Sequence, residues 1–170
     1  MKGLDIGCGD KLKAIIPGQW IGIDKHDFSR VYVAKPDLTF IQHDAKDPLP
    51  FEDESFDMIW CHHFLEHLPP RHPERDMDFV VWLVNEMGRI LKVGCEAHLI
   101  VPWKDHTNAW RAPHHYRFFN HETFQWFSQS PNMWAEHEAA GLATNWQVVR
   151  CDIQDECHVY GILKKKLSAT

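Results

Sequence analysis

The sequence predicts an α/β fold in three layers, built on a mostly parallel sheet of seven strands with an antiparallel C-terminal edge. Two observations carry that expectation. Short apolar runs of strand length alternate with helical or loop segments through most of the chain, as in a parallel sheet fed by crossovers. Two final runs, Trp146–Ile153 and His158–Lys164, flank a turn at Gln154–Glu156 and read as a closing antiparallel pair.

Taken in order, Lys2–Ile6 is the first expected strand, ended by Gly7-Cys8-Gly9, and Trp20–Asp24, Leu38–His43 and Phe56–Cys61 follow. Asp76–Leu91 has helical spacing, with Phe79, Val80, Leu83, Val84, Met87, Ile90 and Leu91 on one stripe, and Gly94 is placed to end it. Cys95–Val101 is a fifth strand, closed by Pro102. Asn120 is placed to cap a helix from His121, and a further helix ends at Gly141. The crossovers Asp10–Gln19 and Lys25–Asp37 are short and carry Pro17-Gly18 and Pro36, so they leave little room for helix. One face of the sheet is therefore expected to be thinly covered. Apolar surface around Ile15, Ile16, Val31 and Val33 would then favour a homodimer. One domain is expected over residues 1–170, with 164–170 as a flexible tail.

Composition narrows the function. The 170 residues carry a formal charge of −6, which repels phosphate backbones and speaks against nucleic acid as a partner. No apolar run is long enough to span a membrane, and the N-terminus has no signal-peptide layout. The five cysteines include no CxxC pair and fit free thiols in the cytoplasm. The 13 histidines and 8 tryptophans crowd into Trp60–His72 and Trp103–Trp134, where they are candidates to line a site.

The chemistry gathers at strand ends. Gly7-Cys8-Gly9 lets the backbone turn sharply and approach a ligand closely. Asp24 ends the second strand roughly 20 residues on, the place of an acid that accepts from ribose hydroxyls. Asp44, followed by Ala45, ends the third. Three acids, Asp5, Asp24 and Asp44, around one crevice suit a cofactor with an amine, a ribose and an adenine amino group. A pyrophosphate would prefer a third glycine and a full helix N-terminus, which the segment after Asp10-Lys11 does not offer.

On these residues the chain resembles the class I S-adenosylmethionine-dependent methyltransferases, whose fold is Rossmann-like. Leu4–Gly9 resembles the first motif of the family, Pro48–Asp57 the segment entering the fourth strand, His63–Leu68 the stretch after it, Gly88–Cys95 the helix-to-strand segment, and Pro113–Phe119 a segment of one compact subgroup. The resemblance implies S-adenosyl-L-methionine as cofactor. Asp5, Gly7 and Gly9 would hold its methionine end, Asp24 its ribose, and Asp44 and Ala45 its adenine, with Cys61 and His62 beside the sulfonium. Ala112 stands where the subgroup carries an acid.

Methyl transfer rests mainly on positioning, and a hydroxyl acceptor gains from a base near neutral pKa. Among His63, His67, His114 and His115, the first choice for that base is His63, beside the crevice, and the second is His115. His63 and His67 are spaced i, i+4, but with Glu66 and His72 they offer no clear third metal ligand, so no metal is expected. The segment Trp60-Cys61-His62-His63 has neither the Pro-Pro-aromatic nor the Pro-Cys pattern of nucleic-acid methyltransferases. The expected acceptor is a small molecule or glycan-like group, attacked at oxygen, with Trp103–Phe119, including His115 and Arg117, as one wall of its pocket. A non-catalytic cofactor-binding protein and an enzyme that cleaves the cofactor are the alternatives.

Overall fold

Each parallel strand is an apolar run bounded by turn residues, and the central ones are buried by what packs on both faces. The computed structural model describes residues 1–32, 37–128 and 133–167. Among these are seven strands: β1 (Lys2–Ile6), β2 (Gln19–Asp24), β3 (Leu38–Gln42), β4 (Phe56–His62), β5 (Leu91–Pro102), β6 (Trp146–Gln154) and β7 (His158–Lys165). They form one sheet in the order β3-β2-β1-β4-β5-β7-β6. β1 to β5 run parallel, and β7 lies antiparallel between β5 and β6. The fold is the expected Rossmann-like α/β fold, and the reversed strand sits inside the C-terminal part of the sheet. β7 also continues through Lys164 and Lys165, into the segment read as a tail. Strand order reverses between β1 and β4, so the ends of β1 to β4 surround the switch point where open α/β sheets bind ligands.

The main core lies between the sheet and α2 (Phe79–Ile90). All seven residues of the predicted stripe are buried there, five of them completely: Leu83, Val84, Met87, Ile90 and Leu91, whose exposure is 0%. Burying such side chains stabilises by about 1.5–3 kcal/mol each. Asp78 caps α2, its Oδ1 accepting from the N–H groups of Val80 (2.8 Å) and Val81 (3.2 Å). Gly94 does not end this helix. Leu91 already takes an extended conformation (φ −81°, ψ 136°), and β5 starts there. Leu91 pairs with Phe56 and Glu96 with Met58, so the residues between bulge out, and Gly94 supplies the left-handed backbone (φ 81°) the bulge needs.

The other face carries a smaller core of Cys8, Leu12, Trp20 and Tyr32, with Ile16, Phe28, Phe40 and Trp60 packed against it. As the prolines and short lengths predict, its cover among the described residues is loop and one turn of helix, α1 (Ser29–Tyr32). Tyr32 ties the cover down, its hydroxyl accepting from the Leu12 N–H (2.8 Å) and donating to the Gly9 carbonyl (2.7 Å). Ile16 is packed into this cluster, while Ile15 and Val31 remain 40% and 46% exposed. Val33 lies outside the described residues. Two short helices, α3 (His121–Gln125) and α4 (Trp134–Ala139), complete the fold, and Asn120 caps α3 in a reciprocal box with Thr123.

Candidate functional site

The strand ends bring the first group of expected residues to one cleft. A cavity of about 620 Å³ is lined by Gly7, Asp24, Asp44 and Ala45 on one side and by His63, Phe64, His67, His114 and Tyr116 on the other. That volume is in the range of small-molecule sites, roughly 300–1,000 Å³. Gly7 turns with φ 71°, and a Cβ there would strike the Phe64 ring, so both the turn and the close packing require glycine. Gly9, also left-handed (φ 53°), would project a Cβ into open space. Its N–H donates to Asp24 Oδ2 (3.2 Å), and the His26 N–H donates to Oδ1 (2.9 Å). Each oxygen keeps a second lone pair for a ligand hydroxyl. Asp44 is fixed by the Lys46 N–H on its Oδ1 (3.1 Å).

Asp5 stands behind the glycine loop rather than in the cleft lining. Its Oδ2 accepts the Lys13 N–H (2.7 Å), and it is 2% exposed. Burial pushes its carboxyl up to about 7, against the opposing pull of the Lys13 N–H and ammonium. Cys61 and His62 also stand outside the cleft lining. β4 runs on through His62, and side chains alternate along it. Cys61 therefore turns into the main core at 0% exposure, while His62 stacks on Trp60 across the sheet face (ring centroids 6.4 Å). Burial, with His63, Lys13 and His158 adding to it, lowers the His62 pKa to about 4.

His63 follows β4 with a left-handed backbone (φ 53°), a conformation that costs a non-glycine residue on the order of 1 kcal/mol and concentrates at functional sites. Both of its ring nitrogens are engaged: Nδ1 meets Glu66 Oε1 at 3.0 Å, and Nε2 meets His158 Nε2 at 3.0 Å. Neither is left for a substrate. His115 is different. Its Nδ1 lies 2.9 Å from the Ala109 carbonyl, to which it donates, so Nε2 carries the lone pair and has no partner among the described residues. His115 lines a second cavity of about 370 Å³ with Glu66, Asn108, Arg111 and Ala112. His63, His67 and His114 line both cavities, so the two adjoin.

The loop after β5 forms part of both walls, held there by backbone. The Tyr116 N–H donates to the Glu66 carbonyl (2.8 Å). Arg117 is committed to that anchoring. Its guanidinium donates to the carbonyls of Leu68 (2.9 Å), Pro69 (2.7 Å) and Pro70 (3.0 Å) and to Asp78 Oδ2 (3.0 Å). It lines neither cavity. His72 is structural too: Nε2 lies 2.7 Å from the Lys46 carbonyl, Nδ1 accepts the Glu74 N–H, and the ring packs between Phe79 and Trp82.

Sequence reasoning missed His158. It reaches the site because β7 inserts next to β5, where His62 pairs with Ile100 and Pro102 with His158. Only this register brings His63 and His158 together across 95 residues of sequence. Its one sequence signal is its position at the first residue of the last strand.

A family model described as a methyltransferase domain matches residues 4–97. No curated protein matches the sequence. Among solved structures, the YcgJ protein of Bacillus subtilis is similar with a TM-score of 0.63 and 18% identity, over 99% of this chain and 92% of that one. A Haloferax volcanii protein described as a methyltransferase, in complex with the Trm112 methyltransferase activator, gives 0.69 and 17%, over 99% and 83%. A SAM-dependent methyltransferase of Aquifex aeolicus gives 0.60 and 17%, over 95% and 81%.

Proposed function

We infer the reaction from one premise: the chain belongs to the methyltransferase-domain family and is an S-adenosylmethionine-dependent methyltransferase. The acceptor we propose is a small molecule or glycan-like group, methylated at oxygen. One observation carries this reading: the cleft with Gly7, Asp24 and Asp44 adjoins the cavity that holds the free nitrogen of His115.

Gly7 and Gly9 expose backbone where the methionine end would lie, with Asp5 holding the loop behind them through the Lys13 N–H. Asp24 would accept from the ribose hydroxyls with its remaining lone pairs, and Asp44 and Ala45 would face the adenine. Cys61 and His62 act behind this surface, one packing the floor and the other stacking on Trp60. When bound, S-adenosylmethionine supplies a methyl group on a sulfonium, open to in-line attack. His115 Nε2 takes the proton of the acceptor hydroxyl, and the backbone-fixed tautomer keeps that lone pair available. His67 and His114 separate the two cavities and position the acceptor. Arg111, in the same lining, would favour an acceptor that carries an acidic group.

The test is product analysis after incubation with methyl-labelled cofactor and a panel of hydroxyl-bearing metabolites and saccharides. A labelled acceptor is expected. Cleaved cofactor without methylated product, or binding without turnover across the panel, would overturn the reading. Five unpaired cysteines support a reducing, cytoplasmic setting, and no helix among the described residues is long and apolar enough to cross a membrane. A homodimer through the exposed Ile15 and Val31 would appear as a concentration-dependent mass in light scattering; a constant monomer mass would exclude it.

A further inference from the structure

We propose that His62, His63 and His158 bind a transition-metal ion of the zinc class at the junction of β4 and β7. The ligand-bearing atoms of the three rings lie within 4.8 Å of one another. Two of the rings are held as metal-binding histidines are held, with the far nitrogen donating to a carboxylate. His63 Nδ1 meets Glu66 Oε1 and His158 Nδ1 meets Asp155 Oδ2, both at 3.0 Å. The Cys157 thiol also lies 3.1 Å from His158 Nδ1, but the carboxylate is the stronger acceptor.

Counting protons shows why an ion belongs between them. A neutral imidazole carries one N–H. With both Nδ1 protons given to carboxylates, both Nε2 atoms present lone pairs, and these face each other at 3.0 Å. Two lone pairs in contact repel unless a cation lies between them. A shared proton would serve His63 and His158 but leave His62 out. A metal takes all three. Tetrahedral zinc with nitrogen ligands at about 2.0–2.1 Å sets them roughly 3.4 Å apart, a few tenths of an ångström from the His63–His158 spacing, and His62 lies within 4.8 Å of both.

A second observation concerns the other oxygen of Glu66. Glu66 is 1% exposed, and its Oε2 has no partner among the described residues. A buried carboxylate needs a counter-charge, and a cation held through His63 supplies it. The ion would pin the β6–β7 hairpin to the end of β4, beside both cavities. It also explains the strained backbone at His63, which brings Nε2 of that ring to His158. The sequence pairing of His63 with His67 and His72 concealed the set, because the third ligand comes from the last strand.

The experiment is calorimetric titration of the chelator-treated full chain with zinc, with cobalt as a spectroscopic reporter. One equivalent should bind, cobalt should show the intense visible bands of four-coordination, and the melting temperature should rise with metal. His158→Gln should abolish this binding. Asp155→Asn, in the exposed turn, should weaken it about 10–100-fold, whereas complete loss there with full-strength binding in His62→Gln would place the ion among Asp155, Cys157 and His158 and overturn the proposal. S-adenosylmethionine binding by each variant reports that it is folded; if His158→Gln is not, His62→Gln and Asp155→Asn carry the test. No saturable one-to-one binding overturns the proposal. So does full-strength binding in His158→Gln that is lost in His115→Gln, which would place the ion among Glu66, His67 and His115. Because the readout is metal binding, failure here leaves the methyl-transfer reading standing, and failure of that reading leaves this one.

Discussion

The two sides of the cleft are made from neighbouring strand ends, yet they are built in different ways. On the side of β1, β2 and β3, each candidate residue is placed at the end of its own strand. Asp24 and Asp44 follow the last apolar residue of a run, and their own neighbours His26 and Lys46 fix their carboxylates through backbone N–H groups. On the side of β4, β5 and β7, no residue is placed alone. His63 depends on Glu66 and His158, His115 depends on the Ala109 carbonyl, and the loop that carries it depends on Arg117. The first side is a set of independent acceptors. The second is a network, in which one change disturbs several groups.

Three substitutions break this comparison at points of decreasing effect. His115→Gln should lower kcat by about 10²–10⁴-fold on an identified acceptor while leaving cofactor affinity unchanged, since general-base catalysis contributes that much. Equal losses in kcat and cofactor binding would mean that His115 shapes the cofactor cleft instead. Asp24→Ala should weaken cofactor binding more than tenfold, because a lost hydrogen bond to a charged group costs about 1.5–3 kcal/mol. Calorimetry gives the affinity directly, and an unchanged value would reduce Asp24 to a cap for Gly9 and His26. Arg117→Ala should lower stability by about 1–3 kcal/mol, since three carbonyls and Asp78 lose a shared donor. It should also reduce turnover through His115 without touching cofactor affinity. A melting temperature equal to that of the parent chain would show that the loop is held elsewhere.

The same contrast explains how much was legible in the sequence. The sheet was readable because each strand is a contiguous apolar run, and the stripe of α2 because it repeats at helical spacing; both signals are local. Gly94 misled because a left-handed glycine serves a bulge as well as a helix end. Asp24 and Asp44 could be placed at the cleft because strand ends were readable. Cys61 could not be excluded from it, because whether a strand stops at residue 61 or 62 decides which way the side chain points. Arg117 read as part of the acceptor-pocket wall because its partners are carbonyls of Leu68, Pro69 and Pro70, which carry no side-chain signal. His158 was out of reach, since its neighbour is set by strand insertion 95 residues away.

The smallest expected effect sharpens the comparison from within the independent side, where Asp5 is the one acid with its carboxyl displaced to about 7. The sign follows from linkage. The folded pKa lies above the ordinary value of 3.8, so between those values the folded state binds the proton more strongly than the unfolded one. Stability contributed by the protonated form is therefore present at low pH, declines as pH rises from about 4 to about 7, and is absent above. Lys13 is the cation facing Asp5, and the thiols of Cys8 and Cys61, which it helps hold up, stay protonated through this window. Asp5→Asn keeps an oxygen for the Lys13 N–H and removes the charge. The variant should lose the decline and melt above the parent at pH 8. Cofactor binding should then separate two roles. If the bound amine compensates the Asp5 charge, the parent chain gains more from the cofactor at pH 8 than the variant does, and the melting gap closes. If the gap stays open at saturating cofactor, Asp5 serves only to hold the loop, and the methionine end is recognised by the glycine backbone alone.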